Sequence, residues 1–283
     1  MGNQTAREQK DEFNFDESDE GFTEALQINL QRLIAYAKSA DTSLQREVAE
    51  KLANEAVKPD RQVQIVELCG LELLLPLTKS KDIEVQRLAA HALANLSVNC
   101  KVEGVVEWLQ INLYNVADNQ QKMAGEGGIE MLIDLLGSSN EHVQRQAAKA
   151  IANLAVNVDN KEKVATAGGI KPLILLASSQ HAGVAIEAVA ALANLAVNDA
   201  NEIAIAREGG LGPIIEGVKS DSIELQSQIA RALRNLSVNP ENKQAILRLG
   251  GVQALQQLAR SSNDRICQQA SRALVNLGIN GAN

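Results

Sequence analysis

The chain has 283 residues, a net charge of −8, 45% hydrophobic residues and only 2% aromatic ones. That acidity argues against nucleic acid as the main partner, although it leaves room for a local basic face, and no apolar run approaches the roughly 18 residues a membrane span needs. Cys69, Cys100 and Cys267 form no paired or CxxC spacing, which gives no metal or redox motif and fits a reducing compartment.

The chain opens Met1-Gly2-Asn3-Gln4-Thr5-Ala6. Gly2 behind the initiator is the position that N-myristoylation uses, although Ala6 stands where the pattern prefers Ser or Thr. One myristoyl chain holds a protein only marginally, and neither a nearby cysteine nor a polybasic patch supplies a second anchor. Asp11 to Glu20 holds six carboxylates and too little apolar surface to pack, so residues 1–21 read as a solvated acidic lead-in with Ser18 as a phosphorylation candidate.

A helical pattern begins at Phe22. Ala25, Leu26, Ile28, Leu30, Leu33, Ile34 and Tyr36 suit one helix, and Asp41 or Thr42 caps the next, which runs to about Val57. From there a motif recurs, clearest as Ala191-Leu-Ala-Asn-Leu-Ala-Val-Asn198. Its first asparagine is found at Asn54, Asn95, Asn153, Asn194, Asn235 and Asn276, at intervals of 41, 58, 41, 41 and 41 residues. Gly127-Gly128, Gly168-Gly169, Gly209-Gly210 and Gly250-Gly251 keep the same step. A fixed period near 40 residues predicts a solenoid with one insertion.

Each full repeat reads as three helices. In the fourth, a short helix over 160–167 meets Gly168-Gly169, where a missing Cβ permits a sharp turn. A second helix with Pro172 in its first turn ends near Ser178-Ser179, and a long third helix covers about 182–197. Between Asn99 and Asp118 stand eighteen residues, Cys100 to Ala117, where one is expected. They hold Trp108, the single tryptophan, and Tyr114. The segment is either a functional loop over the end of the array or a retained intron: Cys-Lys and Val-Ala can be encoded with donor and acceptor splice sequences, and their excision restores the repeat. Transcript sequencing across the junction separates the two.

A short helix, Gly-Gly, a second helix and a long third helix ending Leu-x-Asn-Leu resembles the armadillo repeat over residues 22–280, in about six copies with the first partial. The resemblance implies an all-α fold, a right-handed α-solenoid whose third helices line a concave groove, occupying 22–283. It also implies that the asparagine column faces the groove and clamps the backbone of an extended peptide, since a carboxamide both donates and accepts; on this reading Asn95, Asn153, Asn194, Asn235 and Asn276 contact a partner. The alternative is that they bond neighbouring helices. Nuclear import adaptors of this fold carry Trp four residues before the asparagine; here those places hold Glu50, His91, Lys149, Ala190, Arg231 and Arg272, which argues against nuclear-signal binding.

One turn further back lie Arg46, Arg87 and Arg145. Catenin-like proteins with such basic grooves bind acidic extended segments, so Arg87, Arg145, Lys149, Arg231 and Arg272 are the expected contacts. The alternative is pairing with local acids such as Glu187 or Glu224. His91, His142 and His181 are scattered and no phosphate loop is present, so no catalytic residue, metal site, cofactor or small-molecule substrate is expected.

An array of repeats behind Met-Gly-Asn and an acidic lead-in resembles the armadillo-repeats-only adaptors of apicomplexan parasites, with the acylated vacuolar armadillo protein of yeast as an analogue. That resemblance implies an organelle-positioning adaptor on the cytosolic face of rhoptries, tethered by acylation at Gly2. It would recruit a myosin, an adenylate cyclase and a small interacting protein. Those adaptors carry palmitoylation cysteines after Met-Gly-Asn, where this chain has Gln4-Thr5-Ala6. The rival expectation is a soluble cytosolic scaffold of the catenin kind.

Overall fold

In the computed structural model of the protein the described residues are 19–68, 70–98 and 120–279. Gly2, residues 11–18 of the acidic stretch and the insertion 100–117 lie outside them. All regular structure among the described residues is helical, in six units. The first holds two helices, α1 (Asp19–Ala37) and α2 (Thr42–Glu55). The second is α3 (Pro59–Glu67), α4 (Gly70–Thr78) and α5 (Ile83–Leu96). The third is α6 (120–125), α7 (Gly128–Leu136) and α8 (Glu141–Leu154). The fourth is α9 (Val158–Thr166), α10 (Ile170–Ala177) and α11 (Ala182–Leu195). The fifth is α12 (Asp199–Arg207), α13 (Leu211–Glu216) and α14 (Ile223–Leu236). The sixth is α15 (Pro240–Arg248), α16 (Gly251–Leu258) and α17 (Asp264–Asn276).

Helix boundaries follow short polar devices that repeat with the period. At the joint before each third helix, Ser39, Ser80, Ser138, Ser179, Ser220 and Ser261 accept the backbone N–H two residues on through their hydroxyls. The residue that donates that N–H is the N-cap. Asp41, Asp82, Asn140, Ser222 and Asn263 each accept a first-turn N–H through the side chain, whereas His181 does not. Asp41 rather than Thr42 is therefore the cap of α2. Asn157, Asn198 and Asn239 do the same for the first helices, so α9 starts at Val158, earlier than the apolar pattern indicates. The second helix of the fifth unit departs from the rest. α13 stops at Glu216 and Gly217–Lys219 is a 3₁₀ turn, with Gly217 pressed so close to α14 that a Cβ there would lie 2.8 Å from Ile229 Cδ1.

The two glycines of each Gly-Gly pair have separate tasks. Gly168 sits at φ +84°, a conformation costly for an L side chain, and lets α9 reverse into α10. Gly169 has ordinary helical angles but lies against α9: a Cβ there would be 2.8 Å from Val164 Cγ1 and 3.0 Å from the Val164 carbonyl oxygen.

The third helices stack on one another in order, α2 on α5, α8, α11, α14 and α17. Leu52, Leu93, Ile151, Leu192, Leu233 and Leu274 are all buried along this ladder, with alanines such as Ala89, Ala147 and Ala188 letting the helices approach. A single apolar core runs from Leu33 to Leu277. It is continuous across the insertion: α5 packs on α8, Gln120 Nε2 donates to the Ser97 carbonyl at 3.1 Å, and Asn153 Nδ2 donates to Ser97 Oγ at 3.2 Å. The result is an all-α solenoid in which each unit contacts mainly its neighbours.

Candidate partner-binding site

The side chains not spent on the core form a face along the third helices. The asparagine column lies half-buried in it from Asn95 to Asn276, and Asn54 is exposed. The amide of Asn194 donates to the Ala152 carbonyl at 2.7 Å, that of Asn235 to Ala193 at 2.8 Å, and that of Asn276 to Arg234 at 3.2 Å. Each acceptor belongs to the last turn of the preceding third helix, where carbonyls have no partner in their own helix. Each of these asparagines thus caps the previous unit, the neighbour-bonding role that the sequence left open. Asn153 reaches Ser97 Oγ instead, and Asn95 Nδ2 is buried with no hydrogen-bond partner among the described residues. In Asn194 and Asn235 the bond to the neighbour uses one amide hydrogen, which leaves the second hydrogen and the carboxamide oxygen open, whereas the Asn276 amide also donates to Ser237 Oγ at 3.1 Å.

A second asparagine column escaped the sequence reading. Asn160, Asn201 and Asn242 in the first helices are buried, and their amides donate to the carbonyls of Gln120, Lys161 and Glu202 at 3.4, 3.0 and 3.0 Å. They too recur every 41 residues, but on a face that apolar periodicity does not single out.

The expected cations differ in what they touch. Arg87 is engaged by Glu84 through two hydrogen bonds, of 2.8 Å from Nε and 2.6 Å from Nη2. Arg46 is similarly held by Asp82 at 2.6 Å. Arg145, Lys149 and Arg272 make no ion pair or hydrogen bond among the described residues, and Arg145 and Arg272 are exposed. The Arg145 side chain lies across Gly183 of the next unit, where a Cβ would be 3.2 Å from its Cδ. Arg231 is half-buried; its Nη2 donates to the Ala190 carbonyl at 3.2 Å while its Nε has no partner. Burial, helped by the Arg265 charge, pulls its pKa below the ordinary value.

One carboxylate stands among these charges. Burial pushes the Glu187 carboxyl above its ordinary value, Lys149 and Arg145 draw it part of the way back, and Glu224 adds to the rise. Glu187, one of the local acids named by the sequence, therefore does face the cations without closing an ion pair, and Glu224 acts on Glu187. His91 is pushed the other way, first by burial and then by Arg87 and Lys149. Among the described residues no cluster of His, Cys, Asp and Glu is arranged to hold a metal, and no helix is long and apolar enough to cross a membrane.

The Armadillo/beta-catenin-like repeat family model matches residues 117–156, 157–197, 198–238 and 239–278, more than half of the chain. The chain belongs to the armadillo-repeat family. The first two units lie outside the matched stretches, the first with two helices and the second with three, and the first match begins at the last residue of the insertion. The armadillo chain is similar to the crystal structure of an engineered protein from a structural genomics consortium, at 33% identity and a TM-score of 0.75 over 88% of this chain and 96% of that one. It is also similar to a designed armadillo repeat protein in complex with the peptide (KR)4, at 26% identity and a TM-score of 0.74 over 88% and 99%. Computationally designed armadillo repeat proteins for modular peptide recognition match at 26% identity and a TM-score of 0.75 over 87% and 99%. No curated protein matches the chain.

Proposed function

We propose that this armadillo protein is a non-enzymatic scaffold that holds extended, acidic segments of protein partners against its third-helix face. The observation that carries the reading is the set of cations there, Arg145, Lys149 and Arg272, that no described carboxylate pairs. The designed relative is complexed with a peptide of alternating Lys and Arg; the charges on this face select the opposite sign. A fluorescein-labelled peptide of Ser-Asp-Glu repeated four times should bind the full chain with an affinity that falls as salt is raised. The double substitution Arg145→Glu and Lys149→Glu should weaken that binding by about tenfold or more, through lost attraction and new like-charge repulsion. Unchanged affinity would sink the reading.

A finer reading concerns where the scaffold works. Peripheral attachment through acylated Gly2 to the cytosolic face of a secretory organelle of the rhoptry kind, with recruitment of a myosin, an adenylate cyclase and a small interacting protein, is supported by the Met1-Gly2-Asn3 start and the acidic lead-in. The solenoid itself is equally suited to a cytosolic scaffold. Fractionation of cells expressing the chain beside its Gly2→Ala variant decides. Pelleting of the parent alone with membranes supports the anchored adaptor, and two soluble proteins leave the cytosolic scaffold.

A further inference from the structure

Immediately before each asparagine of the third-helix column the repeat favours alanine. Ala53, Ala94, Ala152 and Ala193 stand there in the first four units, and all four are buried. The fifth and sixth units depart from this at the same place, with Arg234 and Val275. Both departures border one cleft of about 390 Å³ where α14 and α17 stack, and Val238, Ser271, Arg272 and Asn276 complete its lining. Val238 and Val275 are each 61% exposed, so the cleft offers two aliphatic side chains to solvent.

The polar groups of the cleft are unevenly committed. The Arg234 guanidinium is held in place by Gln269, to whose Oε1 its Nη1 donates at 3.0 Å. The Asn276 amide donates to the Arg234 carbonyl at 3.2 Å and to Ser237 Oγ at 3.1 Å, which leaves its carboxamide oxygen as an open acceptor. Arg272 is exposed and makes no ion pair or hydrogen bond among the described residues. One place thus joins an apolar surface, a fixed guanidinium, a free guanidinium and an acceptor.

We propose that this cleft is an anchor site for one aromatic side chain of a protein partner, next in the partner's sequence to a carboxylate. Size favours a ring: a cavity of about 150 Å³ already takes up a benzene, so 390 Å³ holds an aromatic side chain together with the backbone that carries it. Chemistry favours it too, because guanidinium groups stack on aromatic faces and gain nothing comparable from an aliphatic side chain. The valines supply the apolar contact, and the hold of Gln269 on Arg234 means that part of the lining needs no ordering when the ring arrives. The neighbouring carboxylate follows from Arg272, whose charge no described acid neutralises. The proposal rests on the reading that the third-helix face takes acidic segments and adds one fixed point at which such a segment is recognised.

The test compares three labelled peptides on the full chain by fluorescence anisotropy: Ser-Asp-Glu repeated four times, and the same peptide with its third serine replaced by phenylalanine or by leucine. The phenylalanine peptide should bind about tenfold more tightly than the all-serine one, a difference of about 1.4 kcal/mol, and more tightly than the leucine one. The double variant V238S/V275S should lose that gain, and because both side chains are exposed its circular dichroism should match that of the parent. V156S, which removes an exposed valine of the third unit outside the cleft, should keep the gain in full. Equal binding of the phenylalanine and all-serine peptides by the parent overturns the anchor and leaves the acidic-segment reading standing. Equal binding of the phenylalanine and leucine peptides overturns the aromatic assignment. A gain that survives V238S/V275S, or that disappears in V156S, overturns the cleft as its seat. Failure of all three peptides to bind overturns both readings together.

Discussion

Glu187 shows how a single residue can tie stability to binding on this face. Its carboxyl is raised by burial and by Glu224 despite the opposing pull of Lys149 and Arg145. A raised folded pKa favours the fold below the ordinary value of 4.5, and that contribution is lost as pH rises through the raised value. Glu187→Gln should therefore melt at a higher temperature than the parent at pH 7, with the two melting curves converging below pH 4.5. The same change removes the one carboxylate set among the unpaired cations, so it should also tighten binding of the Ser-Asp-Glu peptide. A variant that melts lower at pH 7 would show that the attraction of Lys149 and Arg145 outweighs burial. The asparagines bind one unit to the next: Asn194 and Asn235 each close the previous helix with one amide hydrogen.

Among the third helices, α11 begins with the weakest start. The other five each have a side chain that caps the first turn, but His181 makes no such bond. Gln45, Gln86, Gln144 and Gln226 also clamp the preceding loop by donating to a serine carbonyl, and the equivalent place in the fourth unit is Ala185. His181 already has the extended backbone of a cap, at φ −85° and ψ 104°. His181→Asn should accordingly supply the missing bond without moving the chain and add about 0.5–1 kcal/mol. Urea denaturation would read this as a higher midpoint with an unchanged slope. An unchanged midpoint would mean that the serine joint at Ser179 already fixes the start of α11.

The whole array behaves as neighbours stacked on neighbours, so its tolerance to change can be located along its length. The bonds from Asn153 and Gln120 to Ser97 join the second unit to the third on either side of the insertion. Those contacts are made by residues outside 100–117. Deleting that segment should leave the helical signal intact and change stability by no more than about 1 kcal/mol, because loop length enters closure entropy only logarithmically. Loss of cooperative unfolding in the deleted chain would show that the segment supports the joint.

The sequence by itself determined the repeat, its count, the three-helix unit and the Gly-Gly turn. Each of these is local chemistry written at least four times over, and a period of 41 residues makes weak signals add. It also placed the cations and asparagines on the third helices, one turn apart, because one turn of an α-helix is fixed geometry. What it left open was decided between units. Whether Asn194 faces a ligand or Ala152, whether Arg87 is free or held by Glu84, and why Gly169 cannot carry a Cβ depend on how closely one helix lies on the next. The buried asparagines of the first helices and the exposed Val156, Val197 and Val238 belong to the same class. Only tertiary packing says which polar group is enclosed and which apolar one is left in water, since a repeat places residues in register but does not say what stands opposite them.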